Sequence, residues 1–158
     1  MIAKTLGWIC ALAISAESLR AQELLFTNNY VATGLANSRA VAHDGNNTWV
    51  VVGDGTNVVQ VQFIPGIGYS VTNRSLPSGT NLSLNTIVYV GDNTYLAAGR
   101  PFNIDAPRVV ISKDGGTNWI LAEYPAFGNL PVQGLAYDDS TKRVVAVGAF
   151  AKIAYTTA

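Results

Sequence analysis

The chain has 158 residues, 49% of them hydrophobic and 13% charged, which is enough for one domain with a real core and about half the usual share of charge. Ten basic residues balance ten acidic ones and no basic cluster occurs, so neither nucleic acid nor an anionic membrane surface is indicated as a partner. A fold with so little charge must rely on buried apolar strands and uncharged polar turns.

Residues 1–21 read as a signal peptide. Met1 to Lys4 gives a short positive start, Leu6 to Ala16 (LGWICALAISA) is an apolar run, and cleavage fits after Ala21 or after Ala16. The apolar run is too short to span a bilayer as a helix, so no membrane span is expected. A buried amphipathic N-terminal helix is the alternative. Cys10, the only cysteine, lies inside this segment, and the GWI before it is unlike a lipoprotein attachment site. A secreted or periplasmic mature chain would therefore carry no thiol, hence no disulfide, no cysteine nucleophile and no thiolate metal site.

Residues 22–158 are organised as repeats, near 35–80, 81–128 and 129–158. The first opens with VAHDGNNTWVVVG (41–53), followed by NVVQVQ (57–62) and GYSVTN (68–73). The second opens with IVYVGDNTYLAAG (87–99) and continues with RVVISK (108–113) and NWILAEY (118–124). The third has LAYDDSTKRVVAVG (135–148) and KIAYTT (152–157). His43 aligns with Tyr89 and Tyr137, and Gly53, Gly99 and Gly148 close the three first segments. In each, Asp, Asn and Gly suit a turn, while Val, Tyr and Thr suit the pleated flanks. Each first segment is thus a β-hairpin, and further strands follow it.

Four short strands in a repeat of about 45 residues is the pattern of β-propeller blades. The expected fold is all-β: a partial β-propeller of about three four-stranded antiparallel blades, the last incomplete. An ordinary β-sandwich also spaces short strands this way. Propellers close into rings of roughly four to eight blades, so the chain reads as a truncated product, a fragment, or a subunit that completes a ring by association.

Within the second repeat, Ser112-x-Asp114-x-Gly116-x-x-Trp119 resembles the Asp-box, or bacterial neuraminidase repeat, of sialidases, related glycosidases and many non-enzymatic propellers. Asn118 stands where threonine is commonest, and the first repeat has FIPGIGYS (63–70) in place of the box. The box falls between third and fourth strands, so a structural role is expected: glycines for the turn, Asp114 and Ser112 accepting from turn amides, and Trp119 burying its ring. Strands that alternate in direction put this turn on one face of the array and the connections between second and third strands on the other. The resemblance implies that ligands meet that other face.

The longest second-to-third connection is GRPFNIDAPR (99–108). Arg100 and Arg108 there suit a carboxylate or phosphate, Phe102 suits a sugar or ring, and Asp105 suits hydroxyls. A solvated surface loop explains the same residues. His43, the sole histidine, shares its repeat position with two tyrosines and so reads as packing or rim. Without a second histidine no transition-metal site is expected, and no acidic ladder of a calcium loop is present. Asn46, Asn73 and Asn81 head N-x-S/T triplets that matter only in a glycosylating host.

These residues point to a secreted, non-catalytic β-propeller repeat protein or fragment serving recognition or assembly. Its ligand would be a carbohydrate or a protein, and self-association or further blades would complete it; no cofactor is expected. The alternative is a fragment of a sialidase-like or other Asp-box glycoside hydrolase. The resemblance would then call for an arginine triad, a tyrosine nucleophile with a glutamate partner, and an acid/base aspartate. Arg39, Arg74, Arg100, Arg108, Glu23 and Glu123 stand in no motif that supplies them.

Overall fold

The computed structural model describes residues 35–78, 80, 82–101, 109–122, 127–128 and 130–156. The expected signal peptide, and Phe102, Asp105 and Arg108 of the long connection, lie outside the described residues. Everything described is built from strands and turns, with 3-10 geometry only in short stretches such as Ala149–Ala151. The fold is all-β.

Eleven strands follow in chain order: β1 Ser38–His43, β2 Thr48–Gly55, β3 Asn57–Ile64, β4 Gly68–Ser75, β5 Leu82–Tyr89, β6 Tyr95–Pro101, β7 Val109–Ser112, β8 Ile120–Ala122, β9 Val132–Asp138, β10 Arg143–Gly148 and β11 Ile153–Tyr155. Each pairs antiparallel with its neighbour in sequence inside a repeat, giving meanders β1–β4, β5–β8 and β9–β11. The first two join edgewise through a short contact of β2 with β5, Asp54 opposite Ser83 and Gly55 opposite Leu82. That contact makes them one eight-stranded sheet beside a separate three-stranded one.

Polar residues make the hairpin turns. Asp44 Oδ1 accepts from the Asn46 and Thr48 amides at 2.8 and 3.0 Å, Asp92 and Asn93 adopt left-handed backbone, and Asp138 accepts from the Ser140 amide at 2.9 Å. Short polar side chains tolerate that geometry and satisfy the turn locally.

Strand alternation then decides which meander packs on which. Along β6, Tyr95 and Ala97 join one apolar cluster with Val50, Val52, Val58, Ile87, Val110 and Trp119. The intervening Leu96 and Ala98 join a second, with Val109, Phe127, Val132 and Ala146. The second meander is therefore packed on both faces, against the first on one side and the third on the other. Period-two alternation produces this arrangement when both faces are apolar. Polar contacts lock the stack: the Tyr95 hydroxyl donates to Thr48 O at 3.1 Å, and the Leu135 amide donates to Thr86 Oγ1 at 3.0 Å.

Candidate functional site

The first strand of each meander carries one residue too many for its partner. Ser38 pairs with Gly53 and Ala40 with Val52, leaving Arg39 extra. Leu84 pairs with Gly99 and Thr86 with Ala98, leaving Asn85 extra. Val132 pairs with Gly148 and Gly134 with Val147, leaving Gln133 extra. A β-bulge re-aims the extra side chain, and here three bulges do so at one repeat position.

The closing glycines make the bulges possible. A methyl group on Gly53 would lie 1.7 Å from Asn37 O, on Gly99 1.8 Å from Ser83 O, and on Gly148 2.5 Å from Pro131 O. The backbone entering each bulge occupies the space that any side chain would need. None of the three has positive φ, so close approach, and not conformational freedom, requires glycine.

Arg39, Asn85 and Gln133 converge on a cleft of about 540 Å³, also lined by Asp54, Ser83, Arg100 and Pro131. That volume suits a small-molecule site. Asp54 closes one wall with its carboxylate saturated. Arg39 Nε and Nη2 donate to it at 2.7 and 3.0 Å, Asn37 Nδ2 donates at 2.8 Å, and the Ser83 hydroxyl donates as well. These donors, the Arg39 hydrogen bond foremost, hold the Asp54 carboxyl far below the usual carboxylate range. Asp54 thus fixes Arg39 and staples the first meander to the second, and its proton affinity is too low for a general acid at neutral pH.

Asn85 Nδ2 donates to Val132 O at 3.3 Å, tying the second meander to the third. Arg100 is exposed, and among the described residues neither it nor Gln133 makes a side-chain hydrogen bond or ion pair. With Arg39 neutralised by Asp54, the cleft carries the Arg100 cation and two neutral amides for a ligand.

The Ser112–Trp119 turn lies at the opposite end of its meander, beside the β5–β6 turn, where the Gly115 amide donates to Asn93 O at 2.8 Å. Its side chains serve the turn. Asp114 Oδ1 accepts from the Asn118 and Thr117 amides at 2.9 and 3.2 Å, Asp114 Oδ2 accepts from Asn118 Nδ2 at 2.6 Å, and the Gly116 amide donates to Ser112 Oγ at 2.9 Å. Trp119 is buried and donates from Nε1 to Gly116 O at 3.0 Å. Gln60 Nε2 reaches across from the first meander to Gly115 O at 2.7 Å. Every polar group of the motif is spent on the fold.

Of the residues singled out in sequence, Arg100 lines the cleft, while Phe102, Asp105 and Arg108 lie outside the described residues. His43 stacks on Trp49 with ring centroids 4.3 Å apart, away from the cleft-lining set. Sequence reasoning missed Arg39, Asp54, Ser83, Asn85 and Gln133. A signal was present: Arg39, Asn85 and Gln133 precede the aligned His43, Tyr89 and Tyr137 by the same interval. Among the described residues no helix is long and apolar enough to cross a membrane, and no three His, Cys, Asp or Glu side chains gather as metal ligands. Compared with known protein families and with curated proteins, the sequence matches none.

The carboxylates set an acid limit. Asp54 is held low chiefly by Arg39, Asp114 is held low with the Asn118 amide as its largest favourable contact, and Asp138 is held at about 2 by Ser140 and Thr141. A folded-state pKa below the unfolded value means stabilisation that is complete above the unfolded value and is lost as pH falls through the folded one. Thermal melts should therefore be flat from about pH 7 to 5 and decline steadily below about pH 4. A melting temperature unchanged down to pH 2 would show that these carboxylates are not engaged.

Proposed function

We propose that the chain is an exported, non-catalytic recognition module of β-propeller type, which meets its ligand in the cleft where the three first strands converge. Each meander is then one blade, and the cleft opens on the face carrying the second-to-third connections. The observation that carries this reading is the repeated bulge, which aims Arg39, Asn85 and Gln133 from three successive meanders at one volume. A polar residue at the same position of every repeat is how a stack of similar units builds one shared site. The apolar run at Leu6–Ala16 supports export.

Two neutral amides with the Arg100 cation suit a ligand rich in hydroxyls and oxygen acceptors, which is the chemistry of a carbohydrate. Glycoside hydrolysis needs two carboxyl groups across the bond, one of them able to give up a proton near neutral pH. Among the described residues, Asp54 is the single carboxylate lining the cleft, and it is already saturated, which favours recognition over turnover.

A glycan array, followed by isothermal titration of the best binder, tests the reading. Arg100→Ala and Asn85→Ala should each weaken that binding by about tenfold or more, the loss of one or two directed hydrogen bonds. Wild-type affinity in both variants, or steady product release from the bound glycan, would overturn it.

A further inference from the structure

Among the described residues, stacking leaves one exposed apolar face at each end of the array. On the third meander Val145, Val147, Ile153 and Tyr155 point away from the second, at 39%, 43%, 70% and 65% exposure. The repeat register makes Val145 and Val147 the counterparts of Val50 and Val52 in β2 and of Leu96 and Ala98 in β6. Val50, Val52 and Ala98 are fully buried, each beneath the meander that follows. Ile153 and Tyr155 likewise correspond to Val109 and Ile111, which pack on the third meander.

The outer face of the first meander is the counterpart of the other half of that interface. Val41 occupies the position of Ile87, His43 that of Tyr89 and Trp49 that of Tyr95. The second-repeat residues all pack on the first meander. Val41 is 58% exposed where Ile87 is 6%. The aromatic strip continues through Trp49, Tyr69 and Phe63. Val59, further out on the same face, is already buried and is not part of the surface on offer.

We propose that the outer face of β9 and β10 is a docking surface for the outer face of β1 and β2 on a second copy of this chain. The chain already makes this contact twice, β1 against β5 and β5 against β9, and a second copy continues the series with its own β1. Each side is a sheet face of aliphatic and aromatic side chains, the same chemistry that the internal contacts bury. Because the two faces sit at opposite ends of one stack, the contact is head to tail, and such contacts close into rings when the rotation permits. For the number of copies the inference rests on the blade reading above. The three described meanders of each chain make six in two copies, within the roughly four to eight blades of a ring.

Size-exclusion chromatography with light scattering on the full chain, from about 1 to 100 μM, tests this. The wild type should be a dimer of fixed size. Val147→Asp on one face and Val41→Asp on the other should each weaken dimerisation at least tenfold, with circular dichroism unchanged. Ile153→Ser replaces Val147→Asp should that variant fail to fold. Mixing the two variants should restore a heterodimer, since one chain keeps an intact third meander and the other an intact first. A wild-type monomer at every concentration overturns the proposal, whatever else then covers the faces. So does a dimer broken by Val147→Asp alone, which means like-to-like docking, and so does a size that grows without limit. Glycan binding is read separately: its absence with the dimer intact counts against the cleft and not against the interface.

Discussion

Replacing Gly99 with alanine should abolish the folded state. A methyl group there would lie 1.8 Å from the Ser83 carbonyl oxygen and 2.7 Å from Leu84 Cα, both backbone atoms that no rotamer change can move aside. Overpacking a well-filled interior typically costs roughly 1–3 kcal/mol when side chains can yield. Here the strand itself must yield, together with Asn85, the Ser83 bond to Asp54 and the buried Leu84 that opposes Gly99. The expected cost reaches the marginal stability of an ordinary domain, about 5 kcal/mol or more. Gly91→Ala is the control: a methyl there meets nothing, and only its positive φ is at stake, which costs on the order of 1 kcal/mol. Urea titrations followed by circular dichroism should find Gly91→Ala folded with a lower midpoint and Gly99→Ala unfolded without denaturant. A folded Gly99→Ala with a near-native midpoint would mean that β5 does not bulge against β6.

The strands were legible because their determinants are local. Alternating valines between turn-forming Asp, Asn and Gly specify a hairpin wherever it stands, and the expected strands at 57–62, 68–73 and 108–113 match β3, β4 and β7 to within a few residues. The recurring glycine was visible too, though not its purpose. Read locally, Gly53, Gly99 and Gly148 look like turn residues; in the fold they sit inside strands, opposite the bulge of the paired first strand. The bulge is a matter of pairing register, which residue identity does not reveal. The same gap hid the cleft. Arg39, Asn85 and Gln133 share one repeat position, but a cation and two amides form no recognisable motif, and only the common bulge shows that the position faces one volume. Asp54 likewise looked like one more turn aspartate in GDGTN until the fold brought Arg39 and Ser83 to it. The longest loop pointed to Arg100, which lines the cleft, while Phe102, Asp105 and Arg108 lie outside the described residues; loop length marks where function is free to vary and does not identify the strand side chains that converge.

Trp119 should prove the costliest single side chain to remove. Its ring lies in the apolar cluster between the first two meanders with Val50, Val52, Val110 and Tyr95, and its indole N–H donates to the Gly116 carbonyl. Gly116 in turn lies close enough to the first meander that a methyl would meet Val50 Cγ2 at 2.7 Å. The ring therefore supports its own turn and the contact between meanders together. Trp119→Ala deletes both, at about 3–5 kcal/mol for a buried large-to-small change. Trp119→Phe keeps most of the apolar surface and loses the donor, leaving a buried carbonyl unsatisfied at about 1–3 kcal/mol. Equilibrium urea unfolding of the two variants separates the contributions, with the alanine variant expected to be the less stable by roughly the worth of the buried ring. The cleft lies at the other end of the meanders, so on the recognition function proposed above, glycan affinity of whatever Trp119→Phe remains folded should equal that of the wild type. Loss of binding at unchanged stability would move the Ser112–Trp119 turn from the scaffold to the site.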